Sequence, residues 1–394
     1  MKINLEKYSK LKIYKSARED CYYDNVSKEL RVKTSKESVR LGFAEFLHAK
    51  MGVPYEAMET DVAVSDYDSE ESGEIDIGVF AHDDNNFDII MLAVKCRAKG
   101  SILTDDVFEE ICNYADIAEA PFVALTNGQE VEVYYYNEDK DKYEEVQEMP
   151  TYDELCLKLK LEKYPSEIKP YKKIADKFST NEEAYQYLLE KTDTLGKDTD
   201  EKYYQVILTL EDLLMNSFEK MDLIETNEHK ICDIGTRYGG FSDKNEGKCI
   251  GNYRSFRVES KSGNTQIISL GVFAFAKIIA DLNIGKFLEK TYLTVIVDDS
   301  KKQYNYLQLP IDEFISFAEE TAVFSDSGQI VKGKVPPFKN KELVETLRNS
   351  DLDIEIEANR IVLGKLNLNQ ELTINDSSVR KLVTNLVSYI LLEG

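Results

Sequence analysis

Two side chains in one short stretch have the types and spacing to do chemistry. In residues 73–100, GEIDIGVFAHDDNNFDIIMLAVKCRAKG, Asp76 falls on one strand-like run and Lys95 on the next. Side chains alternate between the two faces of a strand, so positions i and i+2 share a face. Lys95 and position 93 therefore look onto one side of the sheet. There a carboxylate could hold a cation and the ammonium could stabilise a developing negative charge. Position 93 is alanine, so the arrangement is one acid short. An aspartate and a lysine near strand ends can equally be ordinary solvated residues, so the pair takes its meaning from its surroundings.

An α/β order surrounds the pair. Val39, Phe43, Phe46, Leu47 and Met51 recur at largely helical spacing over residues 35–51, with Ser35 as the expected N-cap and Gly52 and Pro54 as stops. A short strand is expected at 60–66, a polar loop at 66–73, and strands at 74–81 and 87–96 joined by the turn-like DDNN. A helix over 104–119 precedes strands at 121–127 and 130–136 about the tight Asn127-Gly128 turn. Helix, strands, helix, strands implies an α/β fold with one central mixed sheet flanked by helices.

Three regions are expected: this domain over 1–150, a charged helical connector over 151–228, and an α+β domain over 229–394. In the connector, Ile207, Leu210, Leu213, Leu214 and Phe218 form an apolar stripe. In the last region strands are expected at 253–259, 265–275, 291–298 and 304–310, helices near 311–320 and at 377–392, and mixed structure at 351–367. The glycine-rich residues 235–251 lack both GxxxxGK[ST] and GxGxxG spacing and read as a surface loop.

The N-terminal pieces carry a family resemblance. Glu37 and Arg40 in ESVRLGFAEFL, MGVP at 51–54, EIDIGVF at 74–80, VKCRAKG at 94–100, EEICNYA at 109–115 and ALTNGQEVEVY at 124–134 together resemble the PD-(D/E)xK nuclease domain at the N terminus of type I restriction enzyme motor subunits, especially its stand-alone form. The resemblance implies a restriction-endonuclease-like fold and Mg²⁺- or Mn²⁺-dependent phosphodiester hydrolysis on DNA, in defence against foreign DNA. Carried over residue by residue, Asp76 is the metal aspartate, Glu37 its helper, Lys95 the catalytic lysine, and Arg40 and Tyr114 lie beside the nucleic acid. The chain departs from the pattern twice. Ala93 stands where the acid belongs, and Glu110 stands where the glutamine of Gln-x-x-x-Tyr belongs. Deliberate replacement, natural loss, and an acid migrated to Glu110, Asp88 or Glu74 all account for Ala93. Without that acid the resemblance implies an inactive or impaired nuclease, or a nuclease-fold module that binds nucleic acid or assembles with protein.

Composition narrows the setting. The chain of 394 residues is 42% hydrophobic and 31% charged, long enough for two or three cores. No apolar run reaches membrane-spanning length and MKINLEKYSK has no apolar signal region, so a cytoplasmic protein without a membrane partner is expected. Six scattered cysteines without a CxxC pair suggest reduced thiols. The formal charge is −24, with −21 over residues 51–150 and +5 over residues 1–50. Such acidity excludes a general nucleic-acid coat protein. No P-loop is found, which argues against a translocase. His48, His82 and His229 have no ligand spacing. Tyr253, Arg254, Phe256 and Arg257 interleave rings and cations, a pattern that can stack bases and hold phosphates. Arg254 and Arg257 are thus further nucleic-acid candidates, with the nearby Lys261 and the later Lys301, Lys302, Lys332 and Lys334 adding positive charge. Asp298 and Asp299 end a strand-like run and could hold metal or simply mark a turn. A protein partner or a homo-oligomer is compatible with all of this.

Overall fold

The computed structural model describes residues 1–8, 10–164, 171–192, 194–243, 247–278, 287–298, 300, 305–326, 347, 354–357 and 360–393. The fold is mixed α/β, divided into two compact units, Met1–Ile168 and Lys169–Gly394. No described helix is long and apolar enough to cross a membrane.

The first unit opens with a small antiparallel sheet of β1 (Tyr14–Ser16), β2 (Glu19–Tyr23) and β3 (Leu30–Val32), which the sequence did not announce. Helix α1 (Ser35–Met51) follows. Its N-cap is Thr34, whose side chain accepts from the Glu37 N–H, so Ser35 is the first helical residue and not the cap. Gly52 ends it in the left-handed conformation at φ 75°. A six-stranded sheet then runs in the order β4 (Met58–Ala63), β5 (Glu74–His82), β6 (Asp88–Cys96), β7 (Phe122–Thr126), β8 (Val131–Asn137) and β9 (Lys142–Val146). Only β6 and β7 are parallel, and α2 (Asp105–Ile117) makes the crossover between them.

The sheet is buried on both faces. Val39, Phe43, Phe46 and Leu47 of α1 pack on Ile77, Val79, Leu92 and Val94. Val107, Ile111 and Ala115 of α2 pack on Phe80, Ile90, Ala93 and Val123. This three-layer arrangement explains why β6 reads as an almost unbroken apolar run. Helix α3 (Tyr152–Leu159) closes the unit through Tyr152, Leu155 and Cys156, and the Tyr152 hydroxyl donates to the Phe80 carbonyl.

In the second unit α4 (Ile174–Lys177), α5 (Asn181–Lys191) and α6 (Tyr204–Met215) precede an antiparallel meander: β10 (Ile224–Glu225), β11 (His229–Asp243), β12 (Gly247–Ser260), β13 (Thr265–Ile278), β14 (Phe287–Asp298) and β15 (Asn305–Pro310). The helices of the expected connector are thus divided, α3 in the core of the first unit and α5 and α6 in that of the second. Residues 235–251, expected as a loop, lie in the paired strands β11 and β12, with residues 244–246 outside the described residues. The expected helix at 311–320 is only α7 (Ile311–Phe314), and the chain then enters β16 (Ile315–Ala318). With β17 (Thr321–Asp326), β18 (Glu355–Glu357) and β19 (Arg360–Asn367) this forms a four-stranded sheet, against which α8 (Ser377–Glu393) packs through Leu382, Leu386 and Tyr389.

One carboxyl of α6 is perturbed. Burial first, and then the neighbouring Asp212 charge, push Glu211 up to about 7. Its folded value lies above the ordinary ~4.3, so its contribution to stability is complete below about pH 4 and is lost as pH rises through about 7. Glu211→Gln is therefore expected to flatten the decline in urea midpoint between about pH 4 and about pH 7. An unchanged slope would remove Glu211 from the account.

Candidate active site

Asp76 lies where β5 and β6 part. Their pairing ends at Ile77↔Val94, and beyond it the Asp76 Oδ2 accepts the Cys96 N–H at 2.6 Å. The carboxylate thus replaces a rung of the ladder and is only 1% exposed. Its Oδ1 is 2.6 Å from Lys36 Nζ, from the first turn of α1. Burial alone would lower the pKa of Lys36, but the Asp76 carboxylate outweighs it and raises it. Opposite Asp76 on β4, between the pairs Thr60↔Ile77 and Val62↔Ile75, stands Asp61 at φ 59°, a strained conformation for a residue other than glycine.

Lys95 is also nearly buried, but it turns to α2. Its Nζ donates to Glu110 Oε1 at 2.7 Å and to the Glu74 carbonyl at 3.3 Å, and it sits 5.2 Å from the centre of the Tyr114 ring. Burial alone would raise the Glu110 carboxyl; Lys95, Tyr114 and Arg97 outweigh it and hold the carboxyl below its ordinary value. Tyr114 also closes over Gly73, where a Cβ would stand 2.3 Å from the ring. Gly73 has φ 138°, so both the backbone and the ring exclude a side chain there.

Ala93 shares the face of Lys95, as strand alternation requires, but it lies within apolar packing. It is 0% exposed, among Phe80, Ile111, Ala115 and Val123. Its partner across the strands, Gly78, is covered by Phe80, whose ring edge would stand 2.8 Å from a Cβ at that position. Of the three residues considered for a migrated acid, Asp88 begins β6, pairs with His82 at 3.0 Å and is remote from Asp76 along the strand. The Glu74 carboxyl is raised by burial and by Asp61. Glu110 is the one whose carboxylate is joined to Lys95; Glu74 meets it through its backbone carbonyl alone.

Two expected nucleic-acid contacts are corrected by burial. Arg40 is 1% exposed, and its Nη2 donates to Glu37 at 2.7 Å and to Asp24 at 3.0 Å. Arg31 joins the same network through Asp61 at 2.6 Å. Arg40 is a counter-ion inside the fold, and Glu37 is engaged by it. Arg254 is 0% exposed. Its guanidinium pairs with Asp233 and donates to the carbonyls of Leu213 at 3.2 Å, Asn216 at 2.8 Å and Glu219, closing the C-terminal end of α6. Arg257 is partly exposed, with Nε 3.6 Å from Glu259. Tyr253 is buried against Phe273. Asp298 is held by Arg237 at 3.4 Å, whereas Asp299, Lys301, Lys302, Lys332 and Lys334 lie outside the described residues.

Glu110, Tyr114 and Lys95 therefore come together, and Asp76 stands at the end of the neighbouring strand. Residues 35–150 match the family model described as type I restriction enzyme R protein N terminus (HSDR_N). No curated protein and no solved structure matches the chain. The R-protein match covers α1, all six strands of the central sheet and α2, the elements that hold the site.

A divalent cation held by Asp76 and Glu37 does not fit the side chains as they stand. Asp76 is ion-paired with an ammonium and accepts a backbone N–H, Glu37 is held by a guanidinium, and position 93 offers a methyl group. Among the described residues no three His, Cys, Asp or Glu side chains are placed to hold one metal ion. Sequence reasoning missed Lys36, Asp24 and Asp61. Lys36 had a signal: a lysine in the first turn of a helix opposes the helix dipole, which favours acids there, so it calls for a carboxylate partner.

Proposed function

We propose that the first unit is a PD-(D/E)xK-type nuclease fold that binds nucleic acid without cleaving it. The observation that carries this reading is Ala93, a methyl group packed under α2 where the hydrolytic pattern needs a carboxylate. The R-protein match supports the lineage, and the meeting of Glu110 and Tyr114 with Lys95, on the strand next to that of Asp76, supports the register. A lone carboxylate already tied to Lys36 cannot both seat a divalent ion and orient water against a phosphate. DNA is the partner that goes with the match, in a restriction-like, cytoplasmic defence setting. The net +5 of residues 1–50 favours such a partner, and a pocket of about 480 Å³ lined by Asn4, Ser38, Lys99 and Gln129 together with Leu5, Leu11 and Val39 is the proposed place of contact. The net −21 over residues 51–150 favours a second reading, a protein-assembly module of the same fold.

The test is a low-salt mobility shift with duplex and single-stranded DNA, run beside plasmid nicking in Mg²⁺ or Mn²⁺. A shift without nicking is expected. Nicking by the unaltered chain sinks the reading, and no shift with either DNA transfers the domain to protein assembly. Ala93→Glu is expected to give no nicking and to lower the melting temperature by about 5 °C, because the new carboxylate enters apolar packing at a cost of about 2 kcal/mol. Thermal melts and the nicking assay check both halves.

A further inference from the structure

We infer that Lys36 supplies the positive charge that a divalent cation would bring to Asp76, so that the site is closed by two independent features and not by Ala93 alone. The inference rests on reading the strand pair as a nuclease-type site. An almost fully buried carboxylate needs a compensating charge. Lys95, the nearest lysine in the sequence pattern, does not provide it, since its Nζ is committed to Glu110 and the Glu74 carbonyl. Arg40 does not provide it either, being shared by Glu37 and Asp24. Lys36 does, at 2.6 Å. Its side chain is 44% exposed, so the ammonium reaches inward from solvent onto a partner that is 1% exposed. That is the direction from which a hydrated ion would enter.

An ammonium at this position neutralises Asp76 but cannot do what a divalent ion does. It has no vacant coordination position, it cannot bridge a carboxylate to a phosphate oxygen, and it does not acidify a bound water. It also ties the first turn of α1 to the end of β5. An acid restored at position 93 would therefore meet Asp76 already paired. Restoring ion binding requires both an acid at 93 and the removal of the Lys36 ammonium.

The experiment titrates the full chain with MnCl₂ alone and reads free Mn²⁺ by electron paramagnetic resonance. The unaltered chain, Ala93→Glu and Lys36→Ser are each expected to show only weak, non-saturating uptake. The double change Lys36→Ser with Ala93→Glu is expected to bind one Mn²⁺ about tenfold to a hundredfold more tightly than Ala93→Glu. Tight binding by the unaltered chain overturns the inference, as does Ala93→Glu binding as well as the double change. Should the double change fail to fold by circular dichroism, a melting-temperature cycle decides. Lys36→Met is expected to lower the melting temperature by about 5 °C in the unaltered background and by almost nothing in Asp76→Asn. Equal drops in the two backgrounds overturn the inference. None of these readings involves nucleic acid. A failed mobility shift removes the binding reading and leaves the Mn²⁺ result standing; Mn²⁺ uptake by the unaltered chain does the reverse.

Discussion

Replacing Arg254 by methionine is expected to cost the second unit about 3–5 kcal/mol, a fall in melting temperature of about 10 °C or more. The guanidinium is 0% exposed and is the partner of Asp233, which is itself buried. Removing it leaves a carboxylate in a low-dielectric interior and frees the carbonyls of Leu213, Asn216 and Glu219 at the end of α6. Asp233 also accepts the Met221 N–H at 2.7 Å, so the segment leading into β10 loosens with it. Hydrogen exchange should show lost protection over α6, β11 and β12 with the central sheet of the first unit unaffected. Changing both partners, Arg254→Met with Asp233→Leu, should recover much of the loss, since a buried ion pair replaced by apolar groups is often neutral. A single variant as stable as the unaltered chain would refute the clamp.

The second large effect is expected at Arg40. Arg40→Met should destabilise the first unit by a similar ~3–5 kcal/mol, because Asp24 is 0% exposed and loses its 3.0 Å partner while Glu37 loses three hydrogen bonds. Thr60 donates to Asp24 at 3.4 Å, so the loss reaches β4, and protection should fall in α1 and β4. If Arg40→Met instead weakened DNA binding without any change in melting temperature, the assignment of Arg40 to the interior would fail.

These two arginines show where the sequence was legible and where it was not. The apolar spacing of Val39, Phe43, Phe46 and Leu47 gave α1 its helix, and the runs around Asp76 and Lys95 gave β5 and β6 within a residue or two. Helix order gave the flanked central sheet. Burial of charge was not legible. Arg40 sits in a helix that must carry some polar positions, and nothing local says that Asp24 will meet it from a different element. Arg254 sits in an alternation of rings and cations that reads as a nucleic-acid surface; the structure buries Tyr253, Arg254, Ser255 and Phe256 alike, because β12 is covered on both faces there. The glycines near 235–251 misled in another way. Gly251 and Gly271 are strand residues beneath the Phe273 ring, which would stand 2.6 Å and 2.4 Å from a Cβ at those positions. Glycine here makes room for an aromatic ring on a long strand; it does not mark a loop. For Gly251 the ring comes from the next strand, β13, and for Gly271 from two residues along the same strand, so glycine spacing alone does not separate those uses.

The two buried arginine pairs also bear on how the chain meets its ionic surroundings. A net charge of −24 repels itself, and dissolved salt relieves that repulsion over roughly 10 Å at ordinary ionic strength. Arg40–Asp24 and Arg254–Asp233 are buried, so salt screens them much less. Rising ionic strength thus favours the folded chain, whereas the proposed binding of a polyanion would weaken, and these opposite trends would separate folding from binding without any substitution.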